Sequence, residues 1–331
     1  MSEGSERRGR LGDGGGRGRA GGDGGRGRAG DDGHRGRLGS DGGRPGDDGR
    51  LDVRKTYKLF VGGAFPRSES GRSYAVFSAD GHLLANAALA SRKDARDAVV
   101  AARGAQPKWW AATAYNRGQI LYRLAEMLEG RREQFVAEVC AAEGLSARMA
   151  RRVVGATVDR LVWYAGWADK FAQVVGGANP VAGPWFDFSL PEPTGVVAVL
   201  APQESSLLGL VSVLAPVLVT GNAAVVVASE LRPLPAVTLA EVVATSDVPP
   251  GVVNLLTGRT AELAPVLAAH MDVDGIDLTG APAGERAGLE RLAADNVKRV
   301  LVLDEEWATS PGLRRMRAFV ETKTVWHPIG T

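Results

Sequence analysis

The sequence predicts an α/β fold built on a doubly wound parallel sheet of about five strands, with a helical section in front of it. Two observations carry the prediction. From Gly195 onward, short β-branched runs at 195–200, 223–227, 252–256, 275–278 and 299–303 alternate with helical patterns at 207–219, 235–244, 261–270 and 283–295. Runs that are apolar along their whole length suit a sheet covered on both faces, and a helix between successive strands makes the strands parallel. Upstream, Leu121, Leu124, Leu128, Leu161, Tyr164 and Trp167 recur at three- and four-residue spacing, the period of a helix with one buried stripe. The architecture is Rossmann-like, and its ligands are expected beyond the carboxyl ends of the strands.

In chain order, residues 1–52 come first, a tail rich in glycine and arginine without one aromatic residue. Such a composition cannot bury enough apolar surface to offset the entropy of ordering, so the tail is expected to be disordered. Interleaved aspartates nearly cancel its arginines; nucleic-acid binding is not expected, because phosphate affinity needs net positive charge. Residues 53–310 are expected to form the main domain. It opens with a β-rich run from Tyr57 to Gly63 that closes on a Gly-Gly turn, followed by a short extended segment at Tyr74 to Phe77. Ser91 is the expected N-cap of a helix through Ala95 to Ala105, and further helices are expected at Ala114 to Gly130, Glu133 to Glu143 and Ala147 to Val174. After the sheet, Arg317 to Trp326 alternates with a period of two, as a half-buried strand does.

The chain carries 40 Lys plus Arg against 38 Asp plus Glu, a net charge of +2 that provides no long-range field for nucleic acid or anionic lipid. Its single cysteine, Cys140, excludes an intramolecular disulfide and offers no thiolate cluster, so no metal site is expected and a reducing cytoplasm is the expected location. No apolar run approaches the ~20 residues that a membrane span needs. Neither a membrane contact nor export is expected.

The stretch Glu192-Pro193-Thr194-Gly195-Val196-Val197-Ala198-Val199-Leu200-Ala201-Pro202 resembles the opening of the cofactor domain in the aldehyde dehydrogenase family. The resemblance continues through Leu214-Ala215-Pro216, Thr220-Gly221-Asn222-Ala223, Ser229-Glu230, Pro249 to Gly258, His270-Met271-Asp272 and Leu278-Thr279-Gly280, and spans about Tyr57 to Leu303. It implies a chemistry in which a cysteine thiolate attacks an aldehyde, a glutamate activates water, and an asparagine amide with a backbone N–H holds the oxyanion. The step needs sulfur, because no other side chain is comparably nucleophilic near neutral pH. Cys140 lies in a helix of the front half, away from the family's cysteine position, and reads as a buried structural residue. The asparagine aligns with Glu204 and the general-base glutamate with Leu303; Glu305 and Glu306 are close by but past the strand end. No catalytic residue is therefore assigned.

The resemblance also implies a cofactor, NAD or NADP, held by Ser229, Glu230, Thr279 and Gly280. Glu230 would accept from a ribose hydroxyl, yet Val227 stands where the family has a lysine, and Ala281, followed by Pro282, stands where a serine meets the pyrophosphate. The loop after Gly258 is short as well. Dinucleotide binding is expected to be weak or absent. Residues 311–331 resemble the family's terminal oligomerisation strand, with a mate in the hairpin near 184–194, at Trp185 to Leu190. The large catalytic domain that the family places between sheet and strand is missing from this reading. The expected function is a non-catalytic subunit in a hetero-oligomer with a full-length aldehyde dehydrogenase. The alternatives are an active NAD(P)-dependent aldehyde oxidoreductase and a free dinucleotide-binding module.

Overall fold

The computed structural model describes residues 54–330, so the tail expected over residues 1–52 lies outside the described residues. A small sheet of β1 (Thr56–Tyr57), β2 (Ser73–Phe77) and β3 (Leu83–Ala88) comes first, with β3 in the middle, parallel to β1 and antiparallel to β2. β3 has no counterpart among the predicted strands, because its Ala- and Leu-rich sequence lacks the β-branched residues that mark a strand. The run from Tyr57 onward leaves this sheet at once and instead forms a bridge from Phe60 to Leu255 before turning at Gly62 and Gly63.

Helix α1 (Arg92–Ala111) begins at Ser91 as expected. The Ser91 hydroxyl accepts from the N–H of Asp94, whose carboxylate accepts from the N–H of Ser91, a reciprocal capping box. α2 (Ala114–Gly130) and α3 (Arg132–Glu143) match their predicted spans to within a residue. The helix predicted over Ala147 to Val174 is two: α4 (Ala147–Trp167) and α5 (Phe171–Val175), separated by a turn at 168–170. Tyr164, Ala168 and Phe171 are all buried. The apolar spacing runs through the turn unbroken, and periodicity alone cannot detect it.

The large sheet contains β6 (Val196–Leu200), β7 (Ala223–Val227), β8 (Val253–Leu256), β9 (Gly275–Asp277) and β10 (Arg299–Leu301), preceded in the chain by β4 (Gly177–Asn179) and β5 (Trp185–Pro193). All its pairs are parallel, in the order β10-β9-β6-β7-β8. α6 (Leu208–Val219), α7 (Leu234–Val243), α8 (Thr260–Ala269) and α9 (Ala283–Ala294) connect successive strands. Val197, Val199, Val226 and Leu255 pack into one layer with α6, α7 and the front helices; Val196, Ala198, Leu200, Val225 and Val227 pack into the other with α1, α8 and α9. Each valine or leucine among them contributes roughly 1.5–3 kcal/mol on burial, so this two-sided core dominates the stability. α6 is buried all round and accordingly apolar all round.

Two asparagines from the motif stretches work as struts. Asn222 accepts from the N–H of Gly195 at 2.7 Å and donates to the Phe319 carbonyl at 2.9 Å; Asn254 accepts from the N–H of Gly62 and donates to the carbonyls of Ala224 and Gly251. A short helix α10 (Arg314–Ala318) leads to β11 (Val320–Pro328), which pairs antiparallel with β5 from Val320–Pro193 to Pro328–Trp185. Arg317 and Ala318, expected as the start of the strand, finish α10 instead. β4 flanks β5 on its other side, leaving β11 at the sheet edge. A half-buried strand, as the alternation of Arg317 to Trp326 implies, would gather the apolar residues of this sheet on one face. The register divides them: Phe186, Phe188 and Leu190 share a face with Val325, while Trp185 stacks edge-on to Trp326 on the opposite one, at 6.2 Å between ring centres.

Candidate functional site

β6 leads outward through β7 to β8, and the chain then crosses back to place β9 and β10 on the other side of β6. The reversal leaves a crevice between the carboxyl ends of β6 and β9, the usual ligand position in such sheets. Here it is a cleft of about 510 Å³, lined by residues 202–204 after β6, 279–283 after β9, and Leu303, Asp304, Glu305 and Trp307 after β10, together with Arg286 of α9. A larger groove, about 780 Å³, runs along α2 and α4 and shares no residue with the cleft. None of the expected site residues borders that groove.

The structure brings Thr279 and Gly280 to the cleft and leaves Ser229 and Glu230 behind its wall. Gly280 lies so close to the end of β6 that a Cβ there would sit 1.9 Å from the Ala201 carbonyl oxygen. The Thr279 hydroxyl donates to Asp277 at 2.5 Å. Ser229 is buried, donating to the Gln203 carbonyl and accepting from the N–H of Arg232. The Glu230 carboxylate accepts from the N–H of Thr260 at 3.3 Å, at the first residue of α8, where a negative charge complements the helix end. It also faces Tyr74, whose hydroxyl is pushed well up from its ordinary range by burial first and by the Glu230 charge second.

Residues implied for catalysis are equally informative. Leu303 is buried at the cleft and Glu204 lines it. Cys140 sits on α3, half-buried against the front-half core and outside the cleft lining, so it is less enclosed than expected. Glu305 lines the cleft beyond the end of β10.

Below the cleft lies a cluster that sequence reasoning missed. Arg315 of α10, with its side chain 3% exposed, pairs with the fully buried Asp277 and donates to Glu305 Oε2 at 2.8 Å and Thr279 Oγ1 at 3.2 Å. Burial pushes the Asp277 carboxyl up, and the Arg315 guanidinium pulls it back down. Arg160 of α4 donates to Ser212 Oγ and to the carbonyls of Trp307 and Thr309. One signal was available: a carboxylate at Asp277, inside an apolar strand, is buried at high cost unless a cation meets it. Which cation could not be told, since Arg315 lies far along the chain. Among the described residues no group of three or more His, Cys, Asp or Glu side chains is placed to hold a metal ion, and no helix is long and apolar enough to cross a membrane.

A parallel doubly wound sheet with a cleft at its switch point defines a dinucleotide-type cofactor fold. The sequence profile of the aldehyde dehydrogenase family matches residues 65–303, and the chain belongs to that family. Cytosolic 10-formyltetrahydrofolate dehydrogenase of Mus musculus is 31% identical over 259 residues, covering 76% of this chain and 28% of that protein. Aldehyde dehydrogenase of Davidiella tassiana is 30% identical over 274 residues, covering 82% and 54%. Among solved structures, HpcC from Thermus thermophilus superposes with a TM-score of 0.71 at 29% identity, covering 74% of this chain and 47% of that one. The NAD+ complex of a Bacillus cereus aldehyde dehydrogenase does so with 0.71 at 26% identity, covering 75% and 50%. The chain thus spans only about a quarter to a half of the length of the curated relatives it matches.

The family implies a dinucleotide, and the residues around the cleft do not fit one. Glu204, Asp304 and Glu305 face it with Arg286 as the one cation in the lining, a balance that repels a pyrophosphate. Ser229, Thr279 and Glu230 already have protein partners, and Val227 is buried in the core. Pro282 supplies no N–H at the start of α9, and Glu285 adds a negative charge to its first turn.

Proposed function

We propose that this chain is a non-catalytic member of the aldehyde dehydrogenase family that binds NAD or NADP weakly at most and associates with a complete aldehyde dehydrogenase through β5 and β11. The observation that carries the reading is the cleft itself. Leu303, buried, holds the position of the general base, Glu204 faces the place of an oxyanion donor, and the chain's single thiol is elsewhere, on α3. A leucine cannot activate water, and a carboxylate would repel a developing oxyanion.

The association rests on the small sheet. Trp326 is 56% exposed at an edge strand, Trp185, Phe186 and Leu190 are exposed on the neighbouring strand, and exposed edges with apolar side chains mark interfaces. Replacing Val325 and Trp326 by aspartate would put a carboxylate on each face of the sheet. Burying unpaired charge costs several kcal/mol, so recovery of a co-expressed full-length family member should fall on the order of 100-fold with the core still folded. Unchanged recovery, or a monodisperse monomer that ignores each candidate partner, would sink the association. Aldehyde-dependent reduction of NAD or NADP by the purified chain would sink the non-catalytic reading.

A further inference from the structure

Two of the three carboxylates that face the cleft, Asp304 and Glu305, belong to residues 304–319, which lie beyond the residues matched by the family profile. These residues are tied down from outside by Arg286 and Arg160, and from within by their own Arg315, which reaches the buried Asp277. Arg286 of α9 pairs with Asp304 at 3.2 Å, Arg315 of α10 with Glu305, and Arg160 of α4 holds the carbonyls of Trp307 and Thr309 at 2.9 and 2.8 Å. The far end is anchored differently. Phe319 is buried against Gly275, where a Cβ would come within 2.8 Å of its ring, and its carbonyl accepts from Asn222 and from the N–H of Thr194.

We propose that residues 304–319 form an autoinhibitory strap whose carboxylates at Asp304 and Glu305 hold a dinucleotide out of the cleft. Asp304 engages Arg286, the guanidinium in the lining to which a pyrophosphate would otherwise turn. Arg315 fixes Glu305 toward the cleft and at the same time takes the Thr279 hydroxyl. The tie nearest the cleft, Arg286–Asp304, involves a carboxylate 84% exposed, whereas Trp307 and Thr309 are held by the buried Arg160 and the far end is packed into the core. The outer tie at Asp304 can therefore open while the sheet stays intact, since exposed pairs are weak and buried contacts are not.

The test is calorimetric titration of NAD into the native chain and into the double variant D304N/E305Q, which alters only exposed carboxylates. The native chain should bind weakly, and its affinity should rise as added salt screens the repulsion. D304N/E305Q should bind on the order of tenfold more tightly and lose that salt response. Hydrogen exchange on Arg160→Met supplies a second measurement: amides of 304–313 should exchange faster while those of β6 and β9 remain protected, and NAD affinity should rise in parallel. A folded D304N/E305Q variant that binds NAD no better than the native chain, or not at all, overturns the proposal. That outcome leaves the association through β11 untouched, because the latter is read from partner recovery alone.

Discussion

The central sheet is buried and the strap at its carboxyl edge is largely exposed, and the two are held by opposite means. Strands β6, β7 and β8 are secured by alternating valines, alanines and leucines, each side chain one of many near-equivalent contacts between two helical layers. Residues 304–319 are secured by a few guanidinium groups, each making several bonds to carboxylates and carbonyls that are distant in sequence. The first kind of cohesion is spread over many residues and degrades gradually. The second is concentrated, and removing one group strands a charge that nothing else can satisfy.

The largest expected effect tests that concentration. Arg315→Met leaves Asp277 buried and unpaired and should cost about 3–5 kcal/mol in urea unfolding. The double variant D277N/R315M removes the charge along with its partner and should recover most of the loss. If the single variant cost no more than a surface ion pair, the contrast between strap and sheet would collapse. A somewhat smaller loss is expected from Leu200→Ala in the fully buried β6, about 3 kcal/mol for the lost burial and the cavity. In this case no second substitution is expected to rescue the variant, because the loss has no single partner.

The same contrast explains what could be read in advance. Five parallel strands and their helices were legible because apolar runs and helical spacing are local, and the N-cap at Ser91 was legible because a cap is local too. Thr279 and Gly280 were marked by the family motif that contains them, and both line the cleft. Ser229 and Glu230 were placed beside a ligand, whereas the structure binds their polar atoms to Gln203 and Thr260. Arg160, Arg286 and Arg315 were invisible because a guanidinium reveals its partner only once the chain has folded. The turn at 168–170 and strand β3 were hidden for a local reason: neither interrupts nor announces the expected spacing.

The smallest expected effect separates the inner tie of the strap from the outer one. Arg286 pairs with Asp304 at the surface, where water competes for both charges, and its remaining bonds run to the carbonyls of Ala281 and Thr279 at 3.2 and 3.4 Å. Pairs this exposed contribute roughly 0–1 kcal/mol, so Arg286→Met should shift the urea midpoint only slightly, and methionine should preserve the packing of the aliphatic stem. Arg315 makes a similar number of bonds, but to a carboxylate with no access to water, so the difference between the two variants measures burial and not bond count. A loss above about 2 kcal/mol from Arg286→Met would mean that the outer tie is desolvated as well. In that case the cleft end of the strap would be locked as firmly as its far end, and it could not lift without unfolding the edge of the sheet.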